Sequence, residues 1–167
     1  MSTRPMNSTG GLLAALVFCN LAAMPAAADS DGTTSPAPQQ VTLIRSPPEI
    51  LTRQKLPNFV GISAQTAGAR GLSMNLVIIP PGASAEPHFH KGFESGVYVL
   101  EGRVETRYGP KLEQSVITEA GDFLFIPPDV PHQPVNLSET KAARAIVVRT
   151  DPNEQEHVIL YDPSGDE

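Results

Sequence analysis

The sequence predicts an all-β domain, a sandwich or barrel of short strands. Three observations carry this. About nine strand-like runs, rich in β-branched and aromatic residues, follow one another at short intervals. Gly, Pro, Asp or Asn bounds most of them, and the 167 residues include 17 prolines and 13 glycines, a composition that favours turns over long helices. A helical period is absent, apart from a short turn expected over residues 48–54.

Residues 1–28 stand apart from the rest. Arg4 follows the amino terminus, and "GLLAALVFCNLAAM" from Gly11 is apolar apart from Asn20. The segment "PAAADS" then sets Ala26 and Ala28 in an A-x-A arrangement. This is the pattern of a secretory signal peptide, expected to be cut after Ala28, so the chain reads as exported, periplasmic or secreted. The apolar run is too short to span a bilayer comfortably, and no membrane span is expected after cleavage.

Residues 29–40, "DSDGTTSPAPQQ", are small, polar and Pro-rich and read as a disordered tether. Residues 41–167 form the folded domain. Its strands are expected at "VTLI" from Val41, "FVGISAQT" from Phe59, "SMNLVII" from Ser73 and "GVYVL" from Gly96. They continue with "RVETRY" from Arg103, "SVIT" from Ser115, "DFLFI" from Asp122, "ARAIVVRT" from Ala143 and "HVILY" from His157. The unbroken apolar run "DFLFI" reads as a strand buried on both faces.

The formal net charge is −6, without a Lys/Arg cluster, which argues against nucleic acid or an anionic membrane as a partner. Signal cleavage removes only Arg4 of the 12 basic residues, none of the 18 acidic ones, and Cys19, the single cysteine. The mature chain therefore has no disulfide and must stand on packing or a metal. No G-x-S-x-G, P-loop or dinucleotide fingerprint is present.

Chemistry concentrates in the histidines, of which the chain has four. His88 and His90 alternate in "PHFHKGFESG", so in a strand they project from one face toward one cation. His132 follows a strand and the break at Pro127-Pro128. Glu94 can add a carboxylate. Three imidazoles and a carboxylate, with positions left open, suit Zn, Mn, Fe, Ni or Cu. His157, near the carboxyl end, has no such companion and reads as a solvent-facing histidine on an edge strand. Asn136 reads as a turn-former, and "DPNEQE" from Asp151 as a turn.

These segments resemble the two motifs of the cupin superfamily. The first runs G, five residues, H-x-H, three or four residues, E, six residues, G, as in Gly82, His88, His90, Glu94 and Gly102. The second runs G, five residues, P-x-G, two residues, H, three residues, N, as in Gly121, Pro127, His132 and Asn136, with Asp129 in place of the glycine. The resemblance implies a single jelly-roll β-barrel, metal ligands at His88, His90, Glu94 and His132, a small-molecule ligand in the barrel, and homodimers. Counting back from Gly102 sets Ser95, not Glu94, at the usual carboxylate place; a bulge between them restores Glu94, or Glu94 stands beside the metal as acceptor or base. Tyr98 shares a face with Glu94 and is a second candidate for catalysis. Two functions follow: an exported metalloenzyme acting on a small oxygen-bearing substrate, dioxygenase-, isomerase- or lyase-like, or a non-catalytic module that holds a metal or small ligand.

Overall fold

A computed structural model of the chain describes residues 40–153 and 157–165. The expected signal peptide and nearly all of the tether lie outside the described residues. Eleven strands and one short helix follow in the order β1 (Glu49–Leu51), β2 (Pro57–Ile62), α1 (Ala64–Ala67), β3 (Ser73–Ile79), β4 (His88–His90) and β5 (Ser95–Glu101). The chain continues through β6 (Arg103–Tyr108), β7 (Gln114–Glu119), β8 (Phe123–Ile126), β9 (His132–Asn136), β10 (Ala143–Arg149) and β11 (Val158–Leu160). One sheet has the order β1-β2-β3-β10-β5-β8 and the other β11-β4-β9-β6-β7. All pairings are antiparallel, and the architecture is the expected jelly roll.

The core forms where alternate residues of the two sheets meet. Leu56, Val77, Ile79, Val104 and Val147 are buried there, with Ala143 completing the cluster. The chain crosses from the six-stranded to the five-stranded sheet at Gly102, the single residue between β5 and β6. Its φ is +92°, and a Cβ built there would lie 2.7 Å from the Cβ of Ala143. Both the backbone conformation and the close approach call for glycine.

Four expectations change. The run at 41–44 is not a strand: Val41 is fully exposed and Leu43 largely so. Strand propensity alone makes no ladder without a paired edge. The turn expected over 48–54 contains β1, which pairs with β2 through Glu49 and Phe59. The strand at Phe59 stops at Ile62 because Ser63 caps α1: its side chain accepts from the Thr66 N–H, and Thr66 answers on the Ser63 N–H. Finally, "DFLFI" is buried on one face only. Phe123 is 82 % and Phe125 60 % exposed, while Ile126 is buried. Strand β9 was not anticipated because Pro134 interrupts its pattern; its neighbour β6 nevertheless pairs along its whole length.

The corner at Gly102 sets the relation between the sheets. Gly102→Ala is expected to lower unfolding free energy by about 2–4 kcal/mol, from left-handed strain plus overpacking against Ala143. Gly121→Ala, at φ +100° but with open space around its Cβ position, should cost about 1–2 kcal/mol. Urea unfolding of the two variants checks this; equal losses would mean that the contact with Ala143 relaxes freely.

Candidate metal centre

Strand β4 lies between β11 and β9 in the five-stranded sheet. Alternation turns His88 and His90 inward and Phe89 outward, where Phe89 meets the ring of Tyr161 with centroids 6.3 Å apart. His132 opens β9 directly across the ladder from His88, so both imidazoles share a face. The turn between β8 and β9 fixes this register. Asp129, at φ +61°, donates its N–H to the His90 carbonyl at 3.1 Å and accepts the Gly92 N–H on Oδ1 at 2.9 Å. The second motif is thereby tied to the end of the first, and an aspartate serves where the family pattern has glycine.

The three rings converge. Centroids are 4.4 Å apart for His88 and His132, 5.1 Å for His88 and His90, and 5.5 Å for His90 and His132. One nitrogen from each ring lies within 4.8 Å of those of the other two. All three side chains are buried. His88 Nδ1–H donates to the Glu86 carbonyl at 2.8 Å and His132 Nδ1–H to the Val130 carbonyl at 2.9 Å. These bonds select the tautomer that points the Nε2 lone pair into the cluster. Neither ring nitrogen of His90 has a hydrogen-bond partner among the described residues. A buried imidazole left so, beside two oriented neighbours, fits a metal ligand.

Burial holds all three rings neutral. It is the largest cause for each. It pushes His132 down to about 4, with a smaller lowering from Arg149 against a raising bond to Val130. His88 falls well below the usual histidine range through burial and then the proximity of His132. His90 falls below it through burial and then the Arg149 charge. Neutral nitrogen is the form that binds a cation.

Arg149, the last residue of β10, was missed by sequence reasoning. In "ARAIVVR" it shares the inward face with Ala143, Ala145 and Val147, so alternation alone could have found it. It is 5 % exposed and donates Nε–H to Ser95 Oγ at 3.2 Å. Ser95 is its ladder partner. His88, His132, Arg149, Ser95 and Gln54 line the polar part of a narrow inter-sheet cavity of ≈ 70 Å³ solvent-accessible volume.

The structure does not bring the other expected residues into the cluster. Glu94 is exposed; its main chain pairs with Thr150, and the group of metal-ligating side chains comprises the three histidines without it. A bulge does occur in β5, but at Leu100, past Val99, so alternation from Ser95 to Val99 keeps Ser95 inward. Tyr98 faces out, its ring 4.7 Å from that of Phe123. His157 is tied to the buried Asp151 at 2.8 Å and stacks on Phe93 at 4.9 Å; it is partnered, and Asp151 does more than make a turn. Asn136 is buried and gives its amide to the carbonyls of Ile79, Pro80 and Lys141, bracing the loop ends rather than the cluster.

The lowered histidines make a pH prediction. As pH falls, the unfolded chain takes up protons before the folded one, so stability is lost on the acid side. Metal-free protein should hold its full histidine contribution above about pH 6.5 and lose it as pH falls toward about 4. Urea midpoints across this window test it, and His132→Gln should remove part of the dependence. A wild-type midpoint that does not move would contradict neutral burial.

Comparison with known proteins places this geometry. A family model for the cupin domain matches residues 75–149. No curated protein matches the sequence. Among solved structures, oxalate decarboxylase from Lactobacillus farciminis in a formate complex aligns with TM-score 0.58 at 20 % identity, over 68 % of this chain and 33 % of that one. The chain thus spans about a third of that enzyme. The polyketide cyclase RemF from Streptomyces resistomycificus aligns with TM-score 0.53 at 26 % identity, over 70 % and 75 %. A Cupin 2 conserved barrel domain protein from Salinispora arenicola aligns with TM-score 0.56 at 22 % identity, over 67 % and 91 %. The matched segment begins on β3 and ends on Arg149, enclosing all three clustered histidines, and the chain belongs to the cupin superfamily.

Proposed function

We propose that the chain is an exported metalloenzyme acting on a small oxygen-bearing substrate, with a divalent metal held by His88, His90 and His132. The convergence of three buried, neutral imidazoles on one wall of a cavity carries this reading. A set of three histidines with open positions suits Zn, Cu, Fe, Mn or Ni. Bound there, the cation supplies Lewis acidity and lowers the pKa of a bound water. The chain's own part is to orient the ligating nitrogens through Glu86 and Val130, and to present a narrow, partly apolar cavity that limits water. The solved oxalate decarboxylase and polyketide cyclase support an enzymatic reading by analogy of fold.

One observation favours the other reading, a non-catalytic module for a metal or small ligand. Glu94 and Tyr98, the candidates for proton transfer, both stand away from the cavity. Proton movement then falls to a ligand or water rather than to either side chain.

Protein recovered from its native compartment separates the readings. Its amino terminus by mass spectrometry should be Asp29, and it should carry stoichiometric metal that a chelator removes, lowering Tm by several degrees. His88→Ala or His132→Ala should abolish metal uptake and His157→Ala should not. Equal metal content in all three variants would sink the site, an intact Met1 would sink export, and loaded protein without turnover of small phenols or dicarboxylates would favour the module.

The homodimer is also part of this proposal. Phe123, Phe125 and Tyr98 cluster on the outer face of the six-stranded sheet, beside Ile146 and Val148. An apolar patch of this kind fits a self-complementary contact with a second copy. Sedimentation should show a dimer, with Phe125→Glu shifting it to monomer; a monomeric wild type at high concentration would refute it.

A further inference from the structure

Arg149 ends β10 with its side chain turned inward, in the wall of the cavity that His88 and His132 also line. A guanidinium cannot shed its charge, so burying one calls for a reason. Its Nε–H goes to Ser95, and its planar fork is shaped for a carboxylate or a similar planar anion. The surroundings are polar and under-used. Gln54 lines the same cavity, and its Oε1 is buried with no hydrogen-bond partner among the described residues. Ser73 stands across the ladder from Arg149, and Asn75 is the next inward residue of β3. Asn58 faces inward from β2 beside Val77. Asn58 and Asn75 are essentially without exposure, yet neither end of either amide, nor the Ser73 hydroxyl, has a partner among the described residues. Unmade buried hydrogen bonds are costly, so this end of the barrel is built to be completed by a polar ligand or the waters that stand in for it.

Charge points the same way. The imidazoles are neutral, and among the described residues no carboxylate joins their cluster. A dication held there would add its charge to that of Arg149 in a cavity of low dielectric, and an anionic ligand offsets both. The cavity's ≈ 70 Å³ restricts that ligand to a few heavy atoms.

We propose that the cavity binds a small carboxylate bearing further oxygen or nitrogen groups, with Arg149 holding the carboxylate and Gln54, Ser73 and Asn75 on the side that receives the rest. This names the substrate class of the proposed metal site, and it rests on that reading for its chemistry but not for its binding.

Calorimetric titration of the full chain with malonate, and with its uncharged counterpart malonamide, tests the assignment, both metal-free and loaded with zinc. Malonate should bind in both forms and malonamide at least about tenfold more weakly. Arg149→Gln should weaken malonate by about 10- to 100-fold, with zinc content by elemental analysis unchanged. Equal affinity for the two probes, or undiminished malonate binding in the variant, overturns the assignment. A wild type that binds malonate but takes up no zinc refutes the metal reading and leaves the carboxylate site standing, so the two failures are distinguishable. Should the variant not fold, the Arg149 Nε–H resonance of the wild type decides. A shift with malonate but not malonamide supports the site, and a resonance unmoved by malonate overturns it.

Discussion

The ladder pairing of His88 with His132 is the contact on which the functional end of the barrel depends. Only this one residue pair joins β4 to β9, yet it brings two chain segments 44 positions apart onto one face. So short a ladder cannot hold its register by backbone bonds alone. Asp129 supplies the missing constraint, bonding to both His90 and Gly92 from the turn that leads into β9. A one-residue slip would turn His132 out of the barrel. The local strain of a left-handed aspartate is therefore coupled directly to ligand geometry.

The interior of the barrel is divided by chemistry. Apolar side chains such as Leu56, Val77 and Ile79 fill one part, and histidines, Arg149, asparagines and serines occupy the other. A stability argument alone would not place so many polar groups inside, since each must recover the hydrogen bonds it gave up to water. The neutral imidazoles are the inexpensive members of this set, because losing the proton removes the charge that burial disfavours. Arg149 has no such route. Its position opposite Ser73 and Ser95, in the same row of the sheet, makes it the strongest electrostatic feature that a ligand entering the cavity would meet.

The outer face of the six-stranded sheet shows the converse. Phe123, Phe125 and Tyr98 occupy outward positions where polar residues are usual for a strand with one solvated side. The apolar continuity of "DFLFI" therefore does not report burial inside this domain. Its inward residues pack toward the barrel and its outward ones form a surface patch, so one sequence run serves two environments.

The sequence by itself determined the strand-rich jelly roll, because alternation and turn residues are local signals. It also singled out His88, His90 and His132, because H-x-H spacing fixes a shared face and the motif around Pro127 marks the third ligand. Both were legible without coordinates, as were the extents of β3 and β6. Tertiary structure decided what local pattern leaves open. Whether Glu94 or Ser95 faces in depends on where the bulge of β5 falls, and that is set by pairing with β10, a strand more than forty residues later. Whether the run at 41–44 becomes a strand depends on finding a free sheet edge. Arg149 carried a readable alternation, but its meaning arises only when β10 lies between β3 and β5 and aims its charge at histidines on the opposite sheet. Local periodicity tells which side chains share a face; only the packing of two sheets tells what that face confronts.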